Sequence, residues 1–354
     1  MTLKDIKSMT LQELKEDFAG IGQPSFRALQ VYRWLQARGA VSFDEMSDLS
    51  KDLRGGLKER YYIAAAQTER KFSSQTDGTV KYLFRMNDGE LVESVLMRYH
   101  YGNSICISTQ IGCRMNCSFC ATGKSGYFRN LTPSEMLAQI QAAQLDSGER
   151  VSHVVLMGMG EPLDNYDNVL RFLELVSSEE GLNLGMRHIS LSTCGLVDRI
   201  YELAEKKLQL TLSVSLHAPN DQIRSEMMPV NRTWNMEQLL RACRAYTDRT
   251  GRRISFEYAM VDGVNDSTEC ARELSTRLKG MLCHVNLIPV NPVGDSPYRK
   301  SKREKMENFS RVLTKMGIPV TVRRTLGSDI DASCGQLRRR YKEEVANVES
   351  LPKK

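Results

Sequence analysis

From residue 104 onward, short apolar runs alternate with amphipathic stretches. The runs SICIS, VSHVVLM (151–157), RHISLST (187–193), LTLSVSLH (210–217), RISFEYAMV (253–261) and HVNLIPV (284–290) read as strands, and PVTVRR (319–324) is a candidate seventh. Nearly continuous apolar strands separated by helical patterns predict a parallel sheet covered on both faces. Six strand–helix units are too few for a closed eight-stranded barrel, so the expected architecture is α/β, an open partial barrel. The first of its helices is well marked: Thr132 as N-cap, Pro133 at the first helical position and Glu135 two residues on make a capping box. In such sheets ligands sit at the C-terminal ends of the strands.

Upstream the rhythm differs. Residues 10–62 read as helical, with Phe26, Leu29, Val31, Trp34 and Leu35 at helical spacing after Pro24. A further helix, SKDLRGGLKERYYI, is expected to be interrupted at Gly55-Gly56, and the polar residues 67–79 read as a linker. KYLFRM and ELVESVLM flank Asn87-Asp88-Gly89, a hairpin signature. Alternation then puts Leu91, Glu93, Val95 and Met97 on one face. Glu93 is thus either an edge-strand charge reaching solvent or a carboxylate held near a site. The expected organisation is a helical domain over 1–70, a hairpin and linker over 71–100, a core over 101–336 and a basic tail over 337–354.

Composition narrows the picture. The chain has 354 residues, 41% of them hydrophobic, enough for one large domain with or without a small one. Lys and Arg number 49 against 43 Asp and Glu, a formal net charge of +6. That excess suits a nucleic-acid partner and equally a solvated surface. No run is long enough to span a bilayer, and MTLKDIKSMTLQELKEDF lacks the apolar segment of a secretory leader. A cytoplasmic protein with no membrane partner is expected. In a reducing compartment an odd set of nine cysteines points to metal or catalysis rather than structural disulfides.

Four of those cysteines fall in SICISTQIGCRMNCSFC, and Cys113, Cys117 and Cys120 stand at C-x3-C-x2-C. Thiols this close converge on one centre. A structural zinc site takes four ligands, usually as two separated pairs, and no second pair is present. An electron-transfer cluster takes four cysteines. Three leave one iron of a 4Fe–4S cube open to a substrate or cofactor. Around the expected ligand face lie Gly160 and Glu161 in GMGEP, Ser192 in LST, then Ser215, Leu216 and His217, and Asn291 in NLIPVNP. These suit ribose hydroxyls and adenine edges, though each is also an ordinary strand-end or turn residue. Arg27 and Arg33 near Phe26, Tyr32 and Trp34 suit RNA backbone contact and base stacking, or a plain helical bundle. The run from Leu337 to Lys342 suits phosphates, or a solvated helix face.

Phe119 before the last cysteine, with the Gly-Glu motif at the next strand end, resembles the radical S-adenosylmethionine (SAM) enzymes. CRMNCSFCATG, GMGEPLDN, SLHAPND, HVNLIPVNP and GSDIDASCGQLR resemble the RlmN/Cfr RNA methyltransferases, more closely the RlmN branch. The likeness runs from FRALQVYRWL to Gln336-Leu337, nearly the whole chain. It implies a partial (βα)6 radical-SAM barrel with a small N-terminal helical domain and a connecting hairpin. It implies a 4Fe–4S cluster on Cys113, Cys117 and Cys120, with SAM on the open iron and contacts from Gly160, Glu161, Ser192, Ser215, Leu216, His217 and Asn291. It implies that Cys334 takes a methyl from one SAM, that a radical from a second activates it, and that the carbon adds to adenine. Glu93 then accepts the ring proton, and Cys106 attacks Cys334 to release the RNA and leave a disulfide. The implied substrates are an adenosine of 23S rRNA and the adenosine next to the anticodon of tRNA, methylated at C2. The implied donor is a flavodoxin and the implied state a monomer. Cfr-type methylation at C8 of 23S rRNA, which would confer antibiotic resistance, would use the same catalytic residues. A more distant alternative is a non-catalytic iron–sulfur or zinc protein that binds RNA, against which the pair Cys106 and Cys334 argues. Cys194, in LSTCG beside the SAM rim, is expected to pack in the core.

Overall fold

In the computed structural model of the chain, the described residues are 3–290, 297–324, 326–330, 337–338 and 341. The N-terminal part holds α1 (Leu11–Gly20), α2 (Ser25–Gln36) and α3 (Lys51–Lys58), and a short parallel pair, β1 (Lys4–Asp5) with β2 (Tyr61–Tyr62), ties its ends together. α1 opens on a capping box between Thr10 and Glu13. α3 runs straight through Gly55 and Gly56 instead of breaking there. Buried Leu57 and the bonds from Arg54 and Lys58 to Asp44 offset a glycine penalty of about 1 kcal/mol each. α2 buries Ala28, Val31, Tyr32 and Leu35.

Next come β3 (Gln67–Ser73), β4 (Val80–Arg85), β5 (Leu91–Tyr99) and β6 (Gly102–Cys106), paired antiparallel in that order. β7 (Gln110–Gly112) and β8 (Tyr127–Asn130) form a separate small hairpin around α4 (Ala121–Lys124). The chain then alternates: α5 (Pro133–Ser147), β9 (Val151–Leu156), α6 (Tyr166–Val176), β10 (Ile189–Thr193), α7 (Val197–Glu205), β11 (Thr211–Ser215), α8 (Asp221–Met227), α9 (Met236–Thr250), β12 (Ile254–Met260), α10 (Thr268–Leu278), β13 (Cys283–Pro289), α11 (Arg303–Lys315) and β14 (Val320–Val322). β6 and β9 to β14 pair parallel in sequence order, so the predicted seven strands are all present. β14 is an edge, and β6 passes into the antiparallel strands, so the parallel set stays open.

The local causes are legible. β12 is buried at all seven positions, as a strand covered on both faces requires. α5 has the expected capping box at Thr132 and Glu135 and stops at Gly148, whose φ of +68° suits glycine. Gln141 of α5 donates to the carbonyls of Leu35 and Gln36 at 2.8 and 3.0 Å, joining the N-terminal helices to the core. Among the described residues no helix is long and apolar enough to cross a membrane.

Two expectations change. The polar stretch read as a linker is largely strand β3, an exposed edge whose sequence QTERKFS carries no apolar alternation. Glu93 is not an edge-strand charge reaching solvent. β5 is interior, between β4 and β6, and Glu93 is 2% exposed.

Candidate active site

The β7–α4 loop carries the clustered thiols. Gly112 turns the chain into it at φ +79°, where a Cβ would sit 1.9 Å from the Gly126 carbonyl oxygen, so only glycine fits. Ser118 anchors the loop by its N–H to the Met227 carbonyl (3.0 Å) and its hydroxyl to Tyr298 (2.8 Å). Cys120 is the N-cap of α4. All three cysteines line one cavity of about 390 Å³ at the C-terminal ends of the parallel strands.

Burial pushes the Cys113 thiol up to about 12 despite a bond from the Met115 N–H. Burial, then the charges of Cys120 and Cys113, push Cys117 up as well. Ionising such mutually repelling thiols requires a nearby cation, which a metal centre supplies. Among the described residues no three His, Cys, Asp or Glu side chains close around a single ion. A donor set of three thiols sharing a cavity lining fits a multi-iron cluster that takes one thiolate per iron.

The residues expected at the rim are placed as follows. Gly160, Glu161, Ser192, Ser215 and His217 line the cavity. Leu216 does not: its side chain is fully buried in the core, and its N–H is taken by the Glu257 carbonyl at 3.0 Å. Asn291 lies outside the described residues, as does Cys334. The glycines of GMG admit neighbouring backbone. A Cβ on Gly158 would lie 2.5 Å from the Ile107 carbonyl oxygen, and one on Gly160 2.7 Å from the Gln110 nitrogen. Gly158→Ala is therefore expected to destabilise the fold by about 1–3 kcal/mol. Gly55→Ala, whose Cβ meets nothing within 4 Å, should stabilise it by up to about 1 kcal/mol. Urea unfolding midpoints of the two variants check the pair.

Glu161 accepts from Leu163 N–H at 3.0 Å and from Cys194 N–H at 2.7 Å. Burial still raises its pKa. His217 sits at φ +57° and accepts on Nδ1 from Ala259 N–H at 3.0 Å, leaving Nε2 as the protonated nitrogen. Burial, then the Arg224 charge, push it down to about 3, so the ring is neutral. Phe119 meets it edge-on at 4.9 Å.

The second group of expected residues lies on the antiparallel side of the same cavity. Cys106 ends β6 and lines the cavity with Glu93, and burial pushes its thiol up to about 11 against the nearby Arg323 charge. Glu93 Oε2 pairs with Lys81 Nζ at 3.1 Å, and Oε1 accepts from the Arg338 backbone N–H at 2.8 Å.

Several contributors were missed. Arg323 and Arg324 line the cavity at the end of β14, and the signal was the arginine pair closing PVTVRR. Arg224 is fully buried and donates to the Cys194 carbonyl at 2.6 Å. Cys194 is a cavity-lining residue rather than core packing alone.

The expected RNA contacts fare unevenly. Tyr32 is buried, Trp34 donates to Asp48 at 2.7 Å, and Arg33 pairs with Glu180 at 2.7 Å. Phe26 is exposed with Arg27 over its ring. Arg338 is neither solvated nor open to phosphate: it is 6% exposed and its guanidinium holds Glu90 at 2.7 Å.

Comparison with known proteins agrees with this geometry. Residues 107–274 match the radical SAM superfamily, and residues 4–63 match the ribosomal RNA large subunit methyltransferase N-terminal domain. A probable dual-specificity RNA methyltransferase RlmN of Lachnospira eligens is 52% identical, over 97% of this chain and 98% of its own. The Clostridium novyi protein of the same name is 52% identical over 96% and 99%. A radical SAM methyltransferase from Sphaerobacter thermophilus, solved crystallographically, superposes with a TM-score of 0.90 at 44% identity, covering 94% of this chain and 98% of that one.

Proposed function

Because the chain belongs to the RlmN family of radical SAM RNA methyltransferases, we propose that it methylates C2 of adenosine in 23S rRNA and in tRNA. The observation that carries the reading is the shared lining: the three cluster thiols, Glu93 and Cys106 face one cavity. Adenine C2 is electrophilic and has no nucleophilic lone pair, so a polar methyl transfer from SAM to it fails. Cys113, Cys117 and Cys120 would hold a 4Fe–4S cluster, which would supply the electron for one-electron activation of SAM, and SAM would supply the methyl group.

The chain's own residues do the rest. Gly160, Glu161, Ser192, Ser215 and His217, with Asn291, hold SAM against the thiol loop. A neutral His217 offers Nε2–H as a donor. Cys334 carries the transferred carbon. Arg338, four residues beyond it, is held on Glu93 by its backbone N–H. Glu93 takes the C2 proton, and Cys106, across the strand pair from Val95 on β5, resolves the adduct by attacking the Cys334 sulfur. The S–S bond forms, the C–S bond breaks with its electron pair on carbon, and that carbon takes a proton to become the methyl group. The same reading takes the protein as a cytoplasmic monomer, reduced by a flavodoxin-type donor. It keeps residues 1–70 as an RNA-binding domain that presents Phe26 and Arg27.

The test is mass spectrometry of nucleosides from rRNA and tRNA treated with the reconstituted enzyme. 2-Methyladenosine in both is expected. 8-Methyladenosine would transfer the assignment to the Cfr-type reaction, and unmodified tRNA would restrict the substrate to rRNA.

A further inference from the structure

We propose that Lys81 is a positioning residue of the methyl-transfer reaction, the buried cation that holds the Glu93 carboxylate and aims it at the adenine. The inference rests on Glu93 as proton acceptor. The adduct left by radical addition holds one unpaired electron, which passes to a one-electron acceptor. The bond from C2 to its hydrogen then breaks, the proton passes to a Glu93 oxygen, and the electron pair of that bond restores the aromatic ring. Only a carboxylate can do this. A carboxyl group withdrawn from water resists ionisation unless a charge or donors compensate.

The compensation is visible. Lys81 pairs with Val95 in the β4–β5 register and Leu83 with Glu93, so Lys81 and Glu93 are diagonal neighbours on one face. Both side chains are 1% exposed, and Nζ lies 3.1 Å from Oε2. Arg338 N–H occupies Oε1 at 2.8 Å, while the Arg338 guanidinium is engaged by Glu90. Among the described residues, the other titratable and charged groups on this side of the cavity include Tyr99 from β5, Cys106 from β6, and Arg323 and Arg324 from the end of β14. Lys81 does not itself line the cavity, so it acts on substrate only through Glu93.

A buried ion pair contributes little net stability compared with apolar residues of the same volume. Its presence here needs another explanation, and a base held in place facing the substrate is one. Lys81→Met should therefore fold less stably than the parent, and the double variant Lys81→Met/Glu93→Gln should recover melting temperature.

The deciding experiment is a single turnover followed on denaturing gels, scoring protein–RNA adduct across pH. The parent clears its adduct. Lys81→Met is expected to retain at least about tenfold more adduct than the parent at each pH, and to regain parental behaviour as Lys81→Arg. Lys81→Gln has the same expected result should Lys81→Met fail to fold. Clearance at the parental rate at every pH by Lys81→Met or Lys81→Gln, alongside adduct retention by Glu93→Gln, overturns the Lys81 role alone. Parental clearance by Glu93→Gln itself overturns the proton-acceptor reading on which it stands.

Discussion

Cys117→Ala protein is expected to purify colourless, to hold almost none of the roughly four irons per chain of a 4Fe–4S cluster, and to make no methylated RNA. Two thiols cannot retain a cube that already spends only three ligands. The effect is all-or-none because every later step draws on the cluster. Iron analysis and visible absorbance after anaerobic reconstitution measure it directly. Cys113→Ala and Cys120→Ala should behave alike. The informative control is Cys194→Ala. Cys194 lines the same cavity and is pushed well up by burial and then by Glu161. If three ligands suffice, this variant keeps its iron. Loss of iron there would mean a fourth protein ligand and no open coordination site.

Cys106→Ala should stop the reaction one step from its end. Its thiol is the cavity-facing sulfur at the end of β6, beside Glu93. Without it the C–S bond of the adduct has no attacking thiolate: no S–S bond forms, and the carbon stays tied to the protein. Most of the protein should run as an RNA-linked species on denaturing gels, sensitive to nuclease and insensitive to thiols. Multiple-turnover methylation should fall by a factor of at least about 10³. A variant that purifies free of RNA and still turns over removes Cys106 from the mechanism. Burial pushes the parent thiol up to about 11. Formation of the attacking thiolate, and with it adduct resolution, should therefore quicken as pH rises from neutral.

Much of this was legible in the chain. The parallel strands announced themselves because covering both faces forces near-continuous apolar runs, as β12 shows. The α5 cap was readable from Thr132, Pro133 and Glu135 alone. The convergence of the thiol loop on one cavity was readable because three cysteines in eight residues leave little choice. What escaped depended on contacts distant in sequence. β3 carries no apolar alternation because it is an exposed edge, so its pairing with β4 leaves no mark in its composition. The fate of Arg338 depends on Glu90, 248 positions earlier. A basic run reads as a phosphate site until a partly buried carboxylate is found to hold one of its arginines. Lys81 is the middle case. The Asn87-Asp88-Gly89 turn fixes the hairpin register, and the register places Lys81 diagonal to Glu93. Only the structure shows that both are dry.

The central claim is that a single carbon travels from SAM to adenine C2 by way of Cys334. It is tested most directly by proteolysis and mass spectrometry of the RNA-linked Cys106→Ala protein. The account predicts one modified peptide, DASCGQLR, with a methylene bridging the Cys334 sulfur to C2 of an adenosine. An unmodified Cys334 peptide, or RNA attached through any other residue, contradicts it.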